Sequence, residues 1–168
     1  MNSLLEEAIE AWEDTRSGTI DEVENIPPKQ FGFRPTEENR TVSELVVHIM
    51  EVSMMMAGEL TRDDGSFRRK PYPKLIDEYA SSIQKLSTKR ELIATLRSTL
   101  RDGVKAFRDA GEIRMLQTIV RFDGQRGTRL AWFHHGIAHE MYHRGQLALY
   151  QRQIGLVPAL TKRIMGIG

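Results

Sequence analysis

The chain has no cysteine among its 168 residues. That absence excludes disulfides, thiolate metal ligands and a cysteine nucleophile, so any thiol chemistry has to be brought by a second molecule. Charge of one sign is not in excess either: 24 lysines and arginines face 23 aspartates and glutamates. The broad positive field that makes nucleic acid or an anionic membrane surface a default partner is missing, and neither is expected here. No run of about eighteen apolar residues occurs, so no membrane-spanning helix is expected. The opening residues, Met1-Asn2-Ser3-Leu4-Leu5-Glu6-Glu7, carry acids where a signal peptide carries positive charge, and a cytoplasmic location is the resulting expectation. One core suffices at this length, and residues 1–168 read as a single domain.

What is present is helical patterning. Three hydroxyl residues are each followed three places later by glutamate: Ser3 with Glu6, Thr41 with Glu44 and Thr88 with Glu91. Each pair can form a capping box that satisfies the orphaned amides of a helix start. Leu5, Ala8, Ile9, Trp12, Ile20 and Val23 keep helical spacing until Pro27-Pro28 ends the run. After Thr41 the stripe Leu45, His48, Val52, Met55 steps by three and four, which turns His48 toward the same interior as its apolar neighbours. Residues 63–74 predict a loop. A third helix is predicted from near Leu75 to Gly111, with a jog at Ser87-Thr88. Residues 112–127 read either as a short strand around Ile119-Val120-Arg121-Phe122 or as an extended linker. A fourth helix is predicted from Thr128 to Gly155, with Pro158 just beyond. Four long helices without a convincing sheet predict an all-α, antiparallel-type four-helix bundle, a fold that builds metal sites from side chains on facing helices.

The densest chemistry lies in His139-Glu140-Met141-Tyr142-His143-Arg144-Gly145-Gln146. Histidines four apart on a helix sit about 40° apart around its axis and can reach one small object, a metal ion above all. His139-Glu140-x-x-His143 also spells the zincin pattern, in which the glutamate is general base. A zincin needs a third ligand downstream, yet no histidine, aspartate or glutamate follows His143. A di-iron bundle would need a second Glu-x-x-His, and Glu44 precedes His48 by four places rather than three. What remains is a mononuclear site of His48, His139 and His143, with zinc and nickel fitting three nitrogens equally well. The alternatives at this level are a hydrogen-bonded core histidine at position 48, or His135 rather than His143 as the partner of His139.

These residues also resemble a known family. His139-x-x-x-His143-Arg144-Gly145-Gln146 with His135 one turn before, Phe33-Arg34-Pro35, Thr41-Val42-Ser43-Glu44-Leu45-x-x-His48 and Gly155-Leu156-Val157-Pro158 are similar to the DinB-like (YfiT-like) superfamily of metalloenzymes, along nearly the whole chain. The resemblance implies a four-helix bundle, commonly homodimeric, with a divalent ion held by His48, His139 and His143. It further implies a thiol-dependent S-transferase or a hydrolase acting on a small molecule, with a low-molecular-weight thiol as co-reactant in the first case. A non-catalytic, stress-related binding protein is the competing class. An ion at that site would acidify an incoming thiol or water molecule. Among other residues, Met50, Met54, Met55 and Met56 read as adaptable core filler. Gln146 lies where it can orient a ligand, Arg144 where it can pair with an acid, and Arg68-Arg69-Lys70 as a solvated basic loop.

Overall fold

A computed structural model describes residues 3–167; the two ends of the expected domain span, residues 1, 2 and 168, lie outside the described residues. Four long helices form the bundle: α1 (Leu4–Asn25), α2 (Val42–Thr61), α4 (Lys89–Leu116) and α5 (Arg129–Gln153). Hydroxyl caps start each of them. Ser3, Thr41, Thr88 and Thr128 accept from the amides of Glu6, Glu44, Glu91 and Ala131. Only Thr41 completes the reciprocal box, with the Glu44 carboxylate accepting the Thr41 amide at 2.8 Å.

The chain path departs from the expected elements between α2 and β1 and again after Pro158. The expected helix from Leu75 to Gly111 is two helices, α3 (Tyr72–Ala80) and α4, because Ser81–Ile83 tighten into a 3-10 turn and the chain restarts at the Thr88 cap. The expected loop is correspondingly shorter: Pro71 and Pro73 sit at the cap and first turn of α3, where a missing N–H costs nothing. A short helix, α6 (Ala159–Met165), follows Pro158. The strand alternative is the correct one for the ambiguous stretch: β1 (Thr118–Val120) pairs antiparallel with β2 (Arg126–Thr128), around a turn in which Gly124 has φ 84°. Gly111, with φ 76° and ψ 162°, interrupts α4 where the sequence predicts its end.

Contacts along the helices set their directions. Trp12 meets Phe133 and Glu22 meets Gln151, so α1 and α5 run parallel. Glu6 meets Arg108 and Arg16 meets Thr99, so α1 and α4 run antiparallel. His48 meets His143 and Leu60 meets Arg129, so α2 and α5 run antiparallel. It follows that α2 and α4 are parallel, and the bundle is up-down-down-up rather than antiparallel throughout. The span from Arg62 to Thr88, including α3, makes the return crossing that a parallel neighbour requires.

Two apolar clusters fill the interior. One gathers Trp12, Met55, Met56, Phe107 and Phe133; the other gathers Val23, Leu45, Met50, Leu92 and Leu147. A polar belt divides them at the level of Arg16, Ser53, Thr99 and Glu140. Methionines 50, 55 and 56 are buried filler, as predicted. The basic loop is not free: Arg69 pairs with the buried Glu59, and Lys70 with Glu78. Among the described residues no helix is long and apolar enough to cross a membrane.

Candidate metal centre

The apolar stripe of α2 carries His48 to the seam with α5, and the one-turn spacing of His139 and His143 stacks both rings opposite it. Ring centroids are 5.1 Å apart for His48 and His139, 4.8 Å for His48 and His143, and 4.4 Å for His139 and His143. The candidate ligand atoms of all three lie within 4.8 Å of one another. Nε2 of His139 and Nε2 of His143 are 3.0 Å apart. Two imidazole nitrogens each about 2.1 Å from one ion stand about 3.0 Å apart at a right angle and about 3.4 Å apart at a tetrahedral one, so this pair already has a chelating separation. The residues therefore fit a divalent ion.

Electrostatics favour the same use. Burial, together with the charge of Arg40 and the neighbouring imidazoles, pushes His48 down to about 3; burial and the His143 and His135 rings push His139 down to about 4. Burial also lowers His143, against an opposing hydrogen bond to Gln146. Neutral imidazoles are the metal-binding form. Nδ1 of His143 donates to Oε1 of Gln146 at 2.7 Å, which fixes the tautomer and leaves Nε2 unprotonated toward His139. Gln146 thus hydrogen-bonds the ring of one candidate ligand from three residues further along α5.

The glutamate of the zincin-like string does something else. Glu140 is buried and points away from the histidines into the polar belt, where it accepts from Nε and Nη2 of Arg16 at 2.6 and 2.9 Å and from Nε1 of Trp12 at 3.0 Å. Both its oxygens are occupied, so it is a structural anion and not a general base. Arg16 continues to the Leu96 carbonyl and to the hydroxyls of Thr99 and Ser53, touching all three other long helices. His135 is exposed and packs on Trp132 at 4.4 Å, and His134 is exposed as well. Arg144 lies across Gly18 of α1, where an added Cβ would stand 2.2 Å from its guanidinium carbon.

Sequence reasoning missed two residues of a cavity that adjoins His48 through Glu51. Glu51, one turn beyond His48, has Oε2 3.9 Å from Nδ1 of His48. Arg40 belongs to the connection before α2, and helical periodicity gives no signal there. Both line a cavity of about 550 Å³ with Glu38, Asn39, Glu44 and Gln84.

The chain and its fold have counterparts among known proteins. The family model described as DinB family matches residues 1–164. YfiT from Bacillus subtilis, described as a probable metal-dependent hydrolase with an unusual four-helix bundle topology, superposes with a TM-score of 0.71 at 15% identity, over 90% of this chain and 88% of its own. The DinB-like protein YjoA from Bacillus subtilis gives 0.67 at 22% identity, over 89% and 92%. The mycothiol-dependent maleylpyruvate isomerase gives 0.69 at 14% identity, over 88% of this chain and 63% of its own. No curated protein matches the sequence.

Proposed function

The chain belongs to the DinB family, and from that membership and three convergent imidazoles we propose a metal-dependent enzyme acting on a small molecule, with His48, His139 and His143 holding one zinc or nickel ion. The convergence of those rings from α2 and α5 carries the reading. Three protein nitrogens leave positions open for a reactant, the pattern of catalytic rather than structural sites. A divalent ion there would supply the positive charge that acidifies a thiol or a water molecule near neutral pH.

The chain's own residues do the rest. Burial keeps His48 and His139 unprotonated in the physiological range. Gln146 holds His143 in one tautomer, and Arg16 with Glu140 holds α5 against the other helices. Thiol-dependent S-transfer is supported by the mycothiol-dependent neighbour and by the lack of any cysteine in the chain, which leaves the nucleophile to a low-molecular-weight thiol. Hydrolysis is the second reading, supported by the likeness to YfiT.

Elemental analysis of protein purified without a histidine tag, beside His143→Ala, tests the centre. One ion per chain in the parent and none in the variant, with equal helical circular dichroism, is expected; no ion in either would refute it. Low-molecular-weight thiols with electrophilic acceptors, and simple esters, then test turnover with the ion present and removed. Turnover indifferent to the ion would leave a non-catalytic binding protein. We also propose a single domain and a homodimer. Support for the dimer comes from apolar surface exposed at Met141, Tyr142 and Leu149 of α5 and at Leu160, Ile164 and Met165 of α6. Sedimentation equilibrium finding only a 19.3 kDa species would refute it.

A further inference from the structure

Arg40 stands beside the candidate centre, just before the start of α2. It lines one cavity of about 550 Å³ together with Glu51, whose Oε2 is 3.9 Å from Nδ1 of His48. Its backbone is fixed from both sides. The Tyr150 hydroxyl donates to the Arg40 carbonyl at 3.1 Å, and the next residue is the Thr41 cap of α2. The side chain itself is exposed, and among the described residues no carboxylate pairs with it, although Glu38, Glu44 and Glu51 line the same cavity. Two of these are engaged elsewhere: Glu44 accepts the Thr41 amide and Glu38 accepts the Thr36 hydroxyl.

The guanidinium would oppose a divalent ion at the centre, and a negative group held between the two would relieve that repulsion. The planar fork of arginine matches a carboxylate in geometry as well as charge. The same cavity supplies different chemistry, since Glu51 and Gln84 line it too and offer oxygen acceptors to a ligand that can donate.

We propose that Arg40 is the carboxylate-binding residue of this site, and that its ligand is a small amino- or hydroxy-carboxylic acid with its acid group on the guanidinium and its amino or hydroxyl group toward Glu51 and Gln84. This rests on reading the three-imidazole centre as the place where a small molecule is handled. It adds a chemical class to that reading and a residue that selects it.

The test uses the metal-free protein and three probes of one size, L-alanine, L-lactate and propionate, titrated while amide NMR shifts are followed. Alanine or lactate should bind more tightly than propionate, with alanine leading if the donor is an ammonium and lactate if it is a hydroxyl. R40Q should weaken that binding by about tenfold or more, the loss expected for a charge-assisted pair, and R40K should fall between. Zinc affinity, read separately by competition with a chromophoric chelator, should move the other way and tighten several-fold in R40Q, because a repulsive charge has been removed. Opposite signs for the two ligands separate a charge effect from a damaged site. Binding of the acids unchanged in R40Q, propionate binding as well as the other two, no binding at tens of millimolar, or zinc and carboxylate affinities falling together would each overturn the proposal. If the parent takes up no zinc yet binds lactate through Arg40, the metal-dependent reading fails while this one stands.

Discussion

Replacing Glu140 separates the two roles that its place in a His-Glu-x-x-His string invites. In the bundle it compensates the charge of Arg16, whose side chain is fully buried, and accepts three hydrogen bonds at 2.6, 2.9 and 3.0 Å. Glu140→Ala leaves that guanidinium without a counter-charge in the belt between the two apolar clusters. Arg16 keeps only neutral partners, the Leu96 carbonyl and the Thr99 and Ser53 hydroxyls. Breaking a buried pair by removing one member costs about 3–5 kcal/mol, which at a slope of about 2–3 kcal/mol per molar urea moves the unfolding midpoint down by about 1–2.5 M. Glu140→Gln keeps the volume and one acceptor and should lose less. A double-mutant cycle with Arg16→Met should give a coupling of at least about 2 kcal/mol, because the second change removes the charge that the first left stranded. Urea titrations followed at 222 nm on metal-free protein measure all four corners. A Glu140→Ala variant as stable as the parent but devoid of turnover would refute the structural assignment and restore a general base.

Acidification should destabilise the metal-free protein before carboxylates matter. His48 and His139 fall to about 3 and about 4 in the fold, against about 6.5 in the unfolded chain, so between these values the unfolded state binds more protons and stability drops as pH falls. Each group removes about 2 kcal/mol between pH 7.5 and 5; a flat urea midpoint over that range would contradict it. Gln146→Leu should weaken zinc binding by about 10–100-fold, the usual cost of losing a ligand's orienting partner, with no change in fold by circular dichroism; unchanged affinity would mean the 2.7 Å contact orients nothing. Gly65→Ala would place a Cβ 2.0 Å from the Glu59 backbone oxygen, so a loss of about 1–3 kcal/mol is expected, and a thermal midpoint equal to the parent would show that this turn has room.

Local physics made much of this legible from the residues alone. Spacing by four put His139 and His143 on one face, and an apolar stripe turned His48 inward, because helical periodicity needs no knowledge of the rest of the chain. Hydroxyl caps marked the helix starts within a residue or two for the same reason. The direction of each helix against its neighbours was out of reach, since it depends on the crossing made between Arg62 and Thr88. So was the true office of Glu140. Its counter-charge is Arg16, on a helix at the other end of the chain, and composition-based reading assigns an arginine to solvent. Arg40 escaped because it lies in an irregular connection, where no repeat relates a side chain to a face.

The rings at the centre come from segments separated by roughly ninety residues, and the cost of closing so long a loop has to be met by the folded scaffold rather than by local sequence. During synthesis His48 leaves the ribosome well before either of its partners, so tight uptake of an ion at the proposed centre would have to wait until the last long helix has docked. An interrupted or truncated product would retain at most a weak chelating pair. Loading with metal would then act as a certificate that the polypeptide has been finished and assembled.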